Sequence, residues 1–491
     1  MSTSAQPEGQ VNEQLTLFKS KPTTTSSRGD DEASFNDPAF GTNKSLPVHR
    51  WVPWIAGFSS DFVHDAISRH LRGNGTVLDP FAGVGTTLIE AMRLGHDSIG
   101  FEINPYAALA CRVKLKAFRL DAFSLRTEID RLTAFYLQRL ESGYQPFSQA
   151  PEGFRTKVAF YSPPVLRKVL IIHDYVESLE DESLKEVFQL AFASTMIQYS
   201  NYSYEPSLGT RAGAGKKNIE DFSVLETVVG KLSEIAEDVL IVQRLGAGST
   251  EAWEVINDSF FNYQEHLRGA SVDLLITSPP YLNNYHYIRN TRPHLYWLGF
   301  IEKPQDTKQL EQTNFGKFWQ TVRDQERLDL NFSLPNSDLA EKLEHIRTLN
   351  PEKGVYGGNG WANYAAAYFN DCYRFAKAMQ YVLKPGSKAL VVIGNSILQG
   401  VNIPTDLYLG QIAEAAGLEL LDIHTPRATR VGNSIIQSEV RVAKAQKGRK
   451  LYEAVVELRK RRDRVLFVRP VFDMHFQAGK TTGEKLFCSL N

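Results

Sequence analysis

The sequence predicts an α/β fold, in which a doubly wound, mostly parallel sheet carries a helical insertion and a second, loop-rich insertion. Two observations lead to this fold class. First, residues 75–87 pass from a short apolar strand into a glycine loop and a helix, and a second strand follows at 97–104, which makes a β-loop-α-β unit. Second, strand patterns return at 251–258, 273–281 and 387–396, and long stretches of helical periodicity separate them.

Changes in this periodicity divide the chain into six segments. In order, they are a disordered tail at 1–45, rich in Ser, Thr, Asp, Gly and Pro; a first part of the core at 46–109; a helical insertion at 110–245; a second part of the core at 246–300; a loop-rich insertion at 301–365; and the end of the core with a basic C-terminal segment at 366–491. A closing hairpin is predicted at 419–425 and 435–443.

Composition narrows the functional classes. The 491 residues are 42% hydrophobic and 23% charged, and the formal net charge is −1, so any nucleic-acid surface must be local. Three cysteines are too few for a disulfide framework or a zinc cluster, and we expect no metal. No apolar run approaches the roughly 18 residues of a membrane span. We therefore expect a cytoplasmic protein without membrane contact.

The glycine loop after the first strand indicates a ligand site. Asp79 ends the strand, and Gly83 and Gly85 let the backbone turn tightly and approach a ligand. About twenty residues later, the Glu102 carboxylate can accept hydrogen bonds from both hydroxyls of a ribose. The third glycine of a dinucleotide motif would fall at Leu88, where it is absent. A nucleoside without phosphates therefore fits better than NAD.

A second polar site follows the strand at 273–277, where the chain reads Ser278-Pro279-Pro280-Tyr281. Two prolines fix φ and remove two N–H donors, which holds the turn rigid and extended at the edge of the sheet. The Ser278 hydroxyl and the Pro279 carbonyl are two acceptors, and Tyr281 offers a flat ring. This set suits the exocyclic NH2 group of a planar heterocycle.

These motifs resemble those of the DNA amino-methyltransferases, which move a methyl group from S-adenosylmethionine to an exocyclic nitrogen of a base. DPFAGVGTT resembles the family's cofactor loop and GFEIN its ribose-binding strand end. TSPPY resembles the catalytic motif in the form typical of cytosine-N4 enzymes, whereas adenine-N6 enzymes more often carry Asp or Asn at the position of Ser278. The resemblance covers about half the chain and implies a Rossmann-like class I methyltransferase sheet. Neither insertion has a counterpart, and each is a candidate target-recognition region.

The resemblance also implies a role for each motif residue. Ser278 and Pro279 would polarise the target amino group, Pro280 would keep the turn rigid, and Tyr281 would stack on a base flipped out of duplex DNA. Glu102 would hold the ribose of the cofactor. The full set implied to bind S-adenosylmethionine is Phe58, Ser59, Asp79, Pro80, Phe81, Gly83, Gly85, Thr86, Glu102, Ile103, Asn104, Asp258 and Ser259.

The predicted reaction is methylation of cytosine N4 in DNA. The resemblance, and no single residue, also implies a restriction-modification or defence system, in which a cognate restriction endonuclease is a candidate partner. Adenine N6 is the nearest alternative. An RNA amino-methyltransferase and a catalytically silent DNA-binding subunit stay open. Methylation of cytosine C5 is disfavoured, because it needs a thiolate from a Pro-Cys pair and no proline precedes Cys111, Cys372 or Cys488.

Four further stretches carry weaker signals. Ser162-Pro163-Pro164-Val165 looks like the catalytic motif, but it is better explained as the start of a helix. The glycine-rich loop at 209–217 is either a phosphate-backbone contact or a solvated loop. Residues 441–469 carry eleven Lys and Arg against three acidic residues and indicate a DNA contact or a solvated helix. Finally, Gln14-Leu15-Thr16-Leu17-Phe18 resembles a sliding-clamp docking peptide, although a tail folded onto the body is the stronger interpretation.

Overall fold

A seven-stranded sheet in the order β10-β11-β7-β6-β1-β2-β5 forms the centre of the chain. The structure, a computed structural model, describes residues 43–54, 57, 59–204, 207–244, 251–283, 285–427 and 451–462. The strands are β1 (Thr76–Asp79), β2 (Asp97–Phe101), β3 (Tyr202–Tyr204), β4 (Leu208–Thr210), β5 (Trp253–Ile256), β6 (Val272–Thr277), β7 (Leu383–Gly394), β8 (Ser396–Leu398), β9 (Val401–Ile403), β10 (Leu418–Arg427) and β11 (Glu453–Lys460). The short pairs β3-β4 and β8-β9 are separate hairpins.

Six strands of the large sheet run in one direction. The pairs β5-β2, β2-β1, β1-β6 and β6-β7 are parallel, whereas β11 runs antiparallel to both of its neighbours, β7 and β10. This arrangement confirms the predicted mostly parallel, Rossmann-like sheet. The carboxyl ends of the parallel strands meet at one edge, where α/β proteins bind their ligands.

The last strand corrects two sequence interpretations. The predicted strand at 419–425 exists within β10, but its partner is β11 at 453–460, and residues 435–443 lie outside the described residues. Within the basic stretch 441–469, interpreted above as a solvated helix, residues 453–460 form this strand instead. Its first six residues are buried, because β11 lies between two strands with helices on either side, and the β-branched pair Val455 and Val456 suits that position.

Helices cover both faces of the sheet and extend beyond its β5 edge. They are α1 (Ser60–His70), α2 (Thr86–Arg93), α3 (Pro105–Lys116), α4 (Ala122–Glu141), α5 (Pro163–Glu177), α6 (Glu182–Thr195), α7 (Val224–Arg244), α8 (Tyr263–His266), α9 (Tyr287–Trp297), α10 (Pro304–Thr313), α11 (Trp319–Val322), α12 (Leu339–Arg347), α13 (Gly358–Val382) and α14 (Thr405–Ala415). No helix within the described ranges is long and apolar enough to cross a membrane.

Alternating strand residues build the two faces of the core. Val77 of β1 and Leu274 of β6 pack with α1 and α2, whereas Leu78 and Leu275, one position later, pack with α13 and α14. This period of two is what a strand buried on both faces requires. The helices α3 to α7 form a third cluster with α9 and the segment before α1.

Both insertions contain several helices. The segment 110–245 holds most of α3 and all of α4 to α7, and the segment 301–365, predicted to be loop-rich, holds α10, α11 and α12. Helix α13 crosses the predicted boundary at residue 365. At the other end, Asn43 falls in the predicted tail, yet its side chain is buried and accepts a hydrogen bond from the Ser60 N–H, so the folded segment begins before residue 46.

A buried carboxylate on α7 fixes the segment that leads into the first core helix. Asp238 accepts hydrogen bonds from the Val48 N–H, the Arg50 guanidinium and the Trp51 indole N–H at 2.6–3.1 Å. Asp238 is fully buried, and Trp51 is fully buried beside it. The helical insertion therefore fixes the chain at Trp51, three residues before Trp54.

We expect Asp238→Ala to lower the stability of the protein by about 3 kcal/mol, because it leaves a guanidinium and two N–H donors buried without their acceptor. The measurement is the midpoint of urea unfolding. The matched control is Glu237→Ala on the exposed side of the same helix turn, which we expect to change stability by less than about 0.5 kcal/mol. Equal shifts for the two variants would contradict this account of the anchor.

Candidate functional site

A cleft opens at the carboxyl ends of β1, β2, β5 and β6. Together with the open space at its mouth, it has a volume of about 760 Å³. The lining joins both sequence motifs with residues from distant segments. It consists of Trp54, Pro80, Phe81, Gly83, Phe101, Glu102, Ile103, Asn104, Ser259, Phe260, Phe261, Ser278, Pro280, Tyr287, Ile288, Thr313, Asn314 and Phe315.

The glycine loop needs both of its glycines. Gly83 and Gly85 have φ of +52° and +87°, a region that other residues rarely adopt. A Cβ on Gly83 would lie 3.2 Å from the Trp54 indole nitrogen, and one on Gly85 would lie 2.6 Å from the Cys111 sulfur. Thr86 begins α2 directly afterwards and is buried. The loop is therefore packed closely between the segment before α1 and helix α3.

Glu102 connects the glycine loop to the next helix. One carboxylate oxygen accepts from the Gly83 N–H at 2.9 Å, and the other accepts from the Asn104 N–H at 2.8 Å. Burial raises the pKa of Glu102 to about 7, although these two N–H groups oppose the shift. A carboxylate held in this way at the wall of a cleft can accept hydrogen bonds from a pair of vicinal hydroxyls.

Asp79 lies beneath the cleft and is not among its lining residues. Its fully buried carboxylate accepts from the Thr87 hydroxyl at 2.6 Å, the Thr277 hydroxyl at 2.5 Å and the Phe81 N–H at 3.0 Å. Burial raises its pKa to about 6 against these three donors. The structure therefore gives Asp79 a supporting position, in which it ties the glycine loop to α2 and to the end of β6.

The residues expected around an adenine ring fall into two groups. Ile103, Ser259 and Phe260 line the cleft. Asp258 does not, because its carboxylate turns to its own helix turn and contacts the His266 imidazole and the Asn262 amide at 3.0 Å. Burial opposes ionisation of Asp258, but these hydrogen bonds lower its pKa.

Two further predicted cofactor residues have structural contacts. Asn104 lines the cleft, but its side chain starts α3 by accepting from the Tyr106 N–H and donates to the Thr291 hydroxyl of α9. Ser59 is buried and its hydroxyl accepts from the Asp61 N–H at the start of α1. Phe58 lies outside the described residues.

The SPPY turn meets the cleft through Ser278 and Pro280. The Tyr281 hydroxyl donates to the Glu453 carboxylate of β11 at 3.1 Å and accepts from the Ser278 hydroxyl at 3.4 Å. A Cβ on Gly394 would come within 3.1 Å of the Tyr281 ring, so the ring packs on the end of β7.

The turn is held from a second side as well. The Tyr368 hydroxyl of α13 donates to the Pro280 carbonyl at 3.0 Å, so that acceptor is already engaged. Tyr368 is fully buried, which makes α13 a rigid support for the turn.

Several lining residues were missed by sequence reasoning. Trp54 precedes the recognised motifs, Tyr287 and Ile288 follow the SPPY turn by six residues, and Phe315 belongs to the second insertion. Only Phe260 and Phe261 carried a usable signal, because two aromatic residues follow Asp258-Ser259 directly at a strand end.

The alternative motifs take ordinary structures. Ser162 and Pro163 start α5, as predicted, and the Ser162 hydroxyl donates to the Glu220 carbonyl. In the basic C-terminal stretch, the Arg459 guanidinium makes two-pronged hydrogen bonds to the Glu419 carboxylate, which reduces the charge it offers to a phosphate backbone. Residues 14–18, the proposed sliding-clamp peptide, lie outside the described residues.

Comparison with known proteins gives a consistent family. A family model described as DNA methylase matches residues 36–111. The type II methyltransferase M.BsoBI of Geobacillus stearothermophilus is 26% identical over 81% of this chain and 83% of its own length. M.AvaI of Nostoc sp. is 26% identical (78% and 81%), and M.MvaI of Kocuria varians is 24% identical (68% and 73%); both are also type II methyltransferases.

These matches confirm the resemblance to the DNA amino-methyltransferases and imply S-adenosylmethionine as the methyl donor. Among solved structures, an rRNA methyltransferase of Streptomyces viridochromogenes aligns at a TM-score of 0.29 with 10% identity, over 83% of this chain and 87% of that chain. The fold assignment therefore rests on the strand order of this protein and not on that alignment.

We expect Gly85→Ala to destabilise the protein by about 1–3 kcal/mol more than Gly215→Ala, measured as the shift in urea unfolding. Both glycines have positive φ, but a Cβ at Gly215 meets no atom within 4 Å, whereas one at Gly85 overlaps the Cys111 sulfur. The difference between the variants isolates the packing of the glycine loop on α3. Equal destabilisation would show that backbone conformation alone makes Gly85 necessary.

Proposed function

We propose that this chain, a DNA methyltransferase of the amino-methylating kind, transfers a methyl group from S-adenosylmethionine to N4 of cytosine within a specific duplex sequence. The observation that carries the proposal is the shared cleft: Glu102, suited to a ribose, and Ser278, suited to an amino group, line the same space. The choice of cytosine comes from Ser278 in the SPPY motif. Adenine N6 is the alternative, since a serine at this position does not reject a purine.

The residues of the cleft fit the cofactor by position and chemistry. The Glu102 carboxylate would accept both ribose hydroxyls, while Ile103 and Phe260 would contact the faces of the adenine ring. The glycine loop would border the methionine portion through Gly83, which lines the cleft, while Gly85 lets the loop pack on α3. When bound, S-adenosylmethionine supplies a methyl group on a positively charged sulfur.

The SPPY turn would prepare the target nitrogen. The Ser278 hydroxyl and the Pro279 carbonyl would accept hydrogen bonds from the two amino hydrogens, which turns the nitrogen lone pair out of conjugation with the ring. The nitrogen would then take the methyl group, the electron pair of the broken carbon–sulfur bond would stay on sulfur, and one amino proton would pass to solvent. Positive charge develops on the nitrogen during attack, so fixed acceptors there stabilise the transition state.

Glu453 would act on this chemistry through Tyr281. Its carboxylate accepts from the Tyr281 hydroxyl, which fixes the ring at the end of β7. A ring fixed in advance loses less conformational freedom when a flipped base stacks on it. We therefore propose Glu453 as a positioning residue and Tyr281 as the stacking residue.

The test is methyl transfer from labelled S-adenosylmethionine to unmethylated plasmid DNA, followed by digestion to nucleosides and mass spectrometry. We expect N4-methylcytosine, and a fall of about 100-fold or more in rate for Ser278→Ala because a transition-state acceptor is lost. Ser142→Ala is the matched control, since the Ser142 hydroxyl is exposed at the end of α4, outside the cleft, and donates to the Arg139 carbonyl.

Every outcome other than N4-methylcytosine would change the proposed function in a specific way. N6-methyladenine would keep the mechanism and replace the target base. Modified RNA without modified DNA would overturn the DNA substrate. Binding of S-adenosylmethionine without methylation of either would favour the silent DNA-binding subunit.

Cofactor affinity should depend on pH through Glu102. Its pKa of about 7 in the free protein means that the ionised, hydroxyl-binding form is lost as pH falls below that value. We expect binding to weaken by about tenfold between pH 8 and pH 6, measured by calorimetry. Glu102→Gln should bind more weakly at pH 8 and lack this dependence, apart from any titration of the ligand itself. The same pH profile in both proteins would exclude Glu102 as the titrating group.

A further inference from the structure

An exposed turn in the second insertion presents an aromatic side chain to solvent. We call residues 353–357 the Tyr356 tip; it lies between α12 and α13. Val355 is 39% exposed and Tyr356 is 60% exposed.

Glycines determine the shape of the tip. Gly354 has φ of +54° and ψ of −127°, a conformation that is essentially restricted to glycine. Gly357 and Gly358 pack so tightly at the base that a Cβ would meet the Asn350 carbonyl oxygen at 2.4 Å and the Ile346 carbonyl oxygen at 1.8 Å. The turn therefore projects Val355 and Tyr356 from a rigid base.

The Tyr356 ring is ordered although it is exposed. Its centroid lies 5.4 Å from that of Trp319, which stacks in turn on Trp361 at 5.2 Å. The Arg323 guanidinium lies over both the Trp319 ring, at 4.6 Å, and the Tyr356 ring, at 5.4 Å. An aromatic ring held in this way can enter a second stack at a low entropic cost.

Two chains of contacts link the tip to the SPPY turn. Phe318, immediately before Trp319, lies against His286, five residues after Tyr281. On the other side, the Gln399 side chain donates to the Tyr356 carbonyl from the β8-β9 turn, which follows the Gly394 end of β7 that carries the Tyr281 ring. The tip is therefore connected to the catalytic turn through two separate parts of the chain.

We propose that Tyr356 enters the DNA duplex and stacks in the space left by the target base when that base rotates into the cleft. This inference rests on the proposed function, because it requires a base to leave the duplex. Extruding a base costs a few kcal/mol in lost stacking and pairing. A rigid aromatic side chain that refills the gap offsets part of this cost.

The test compares Tyr356→Ala with wild type on two synthetic duplexes that contain a base first mapped as methylated in plasmid DNA. One duplex is fully paired, and the other has an abasic site opposite the target, where extrusion is already easier. We expect a loss of about tenfold on the paired duplex, the scale of one base–aromatic stack, and a rate within about twofold of wild type on the abasic duplex. Tyr356→Phe keeps the ring and should match wild type on both.

A fluorescent readout separates base extrusion from chemistry. With 2-aminopurine at the target position, wild type should raise the fluorescence on binding and Tyr356→Ala should not. Phe123→Ala is the matched control, because Phe123 is 78% exposed on α4 of the other insertion and should leave rate and fluorescence unchanged.

The inference is overturned if Tyr356→Ala methylates the paired duplex at the wild-type rate, or if its methylation rate falls equally on both duplexes. Either result would leave the proposed methyltransferase function standing. A wild-type protein that methylates no duplex overturns the proposed function, and this inference with it.

Discussion

The buried carboxylate of Asp79 is the contact on which the geometry of the cleft depends. It joins the Phe81 backbone in the glycine loop, Thr87 on α2 and Thr277 at the end of β6. Thr277 directly precedes Ser278, so a single side chain sets the distance between the loop expected to hold the cofactor and the turn expected to hold the base. In-line group transfer is sensitive to that distance, which explains why a carboxylate is kept here although burial raises its pKa to about 6.

The two insertions support this centre from opposite sides. The helical insertion supplies Asp238, which anchors residues 48–51 and so brings Trp54 over Gly83. The second insertion supplies Phe315 to the cleft, and the helix after it supplies Tyr368 to the SPPY turn. Segments without a counterpart in the motif pattern thus complete a site whose central residues come from the sheet.

The sequence was sufficient for features encoded within a few residues. Gly83, Gly85 and Glu102 lie in one β-loop-α-β unit, and Ser278 follows its strand directly, so local patterns placed them at the edge of the sheet. Trp54 and Phe315 reach the same cleft only through long-range packing, which leaves no periodic signal near them. Asp258 shows the reverse case, because its position was expected from a motif while its partners, Asn262 and His266, turn it away from the cleft. The β11 segment looked helical because its charged end suggested a solvated face, and only the sheet order reveals that its middle is buried.

The place of β11 in the sheet also has a consequence for biosynthesis. Although it is far along the chain, it inserts between β7 and β10 and brings Glu453 to Tyr281. While a ribosome is still translating the preceding segments, β7 and β10 have no strand between them, and the aromatic ring at the SPPY turn lacks its anchor. Assembly of the site must therefore wait for residues 453–460 to leave the ribosomal exit tunnel. A message truncated before this strand would yield a protein that holds the early motifs without a finished sheet.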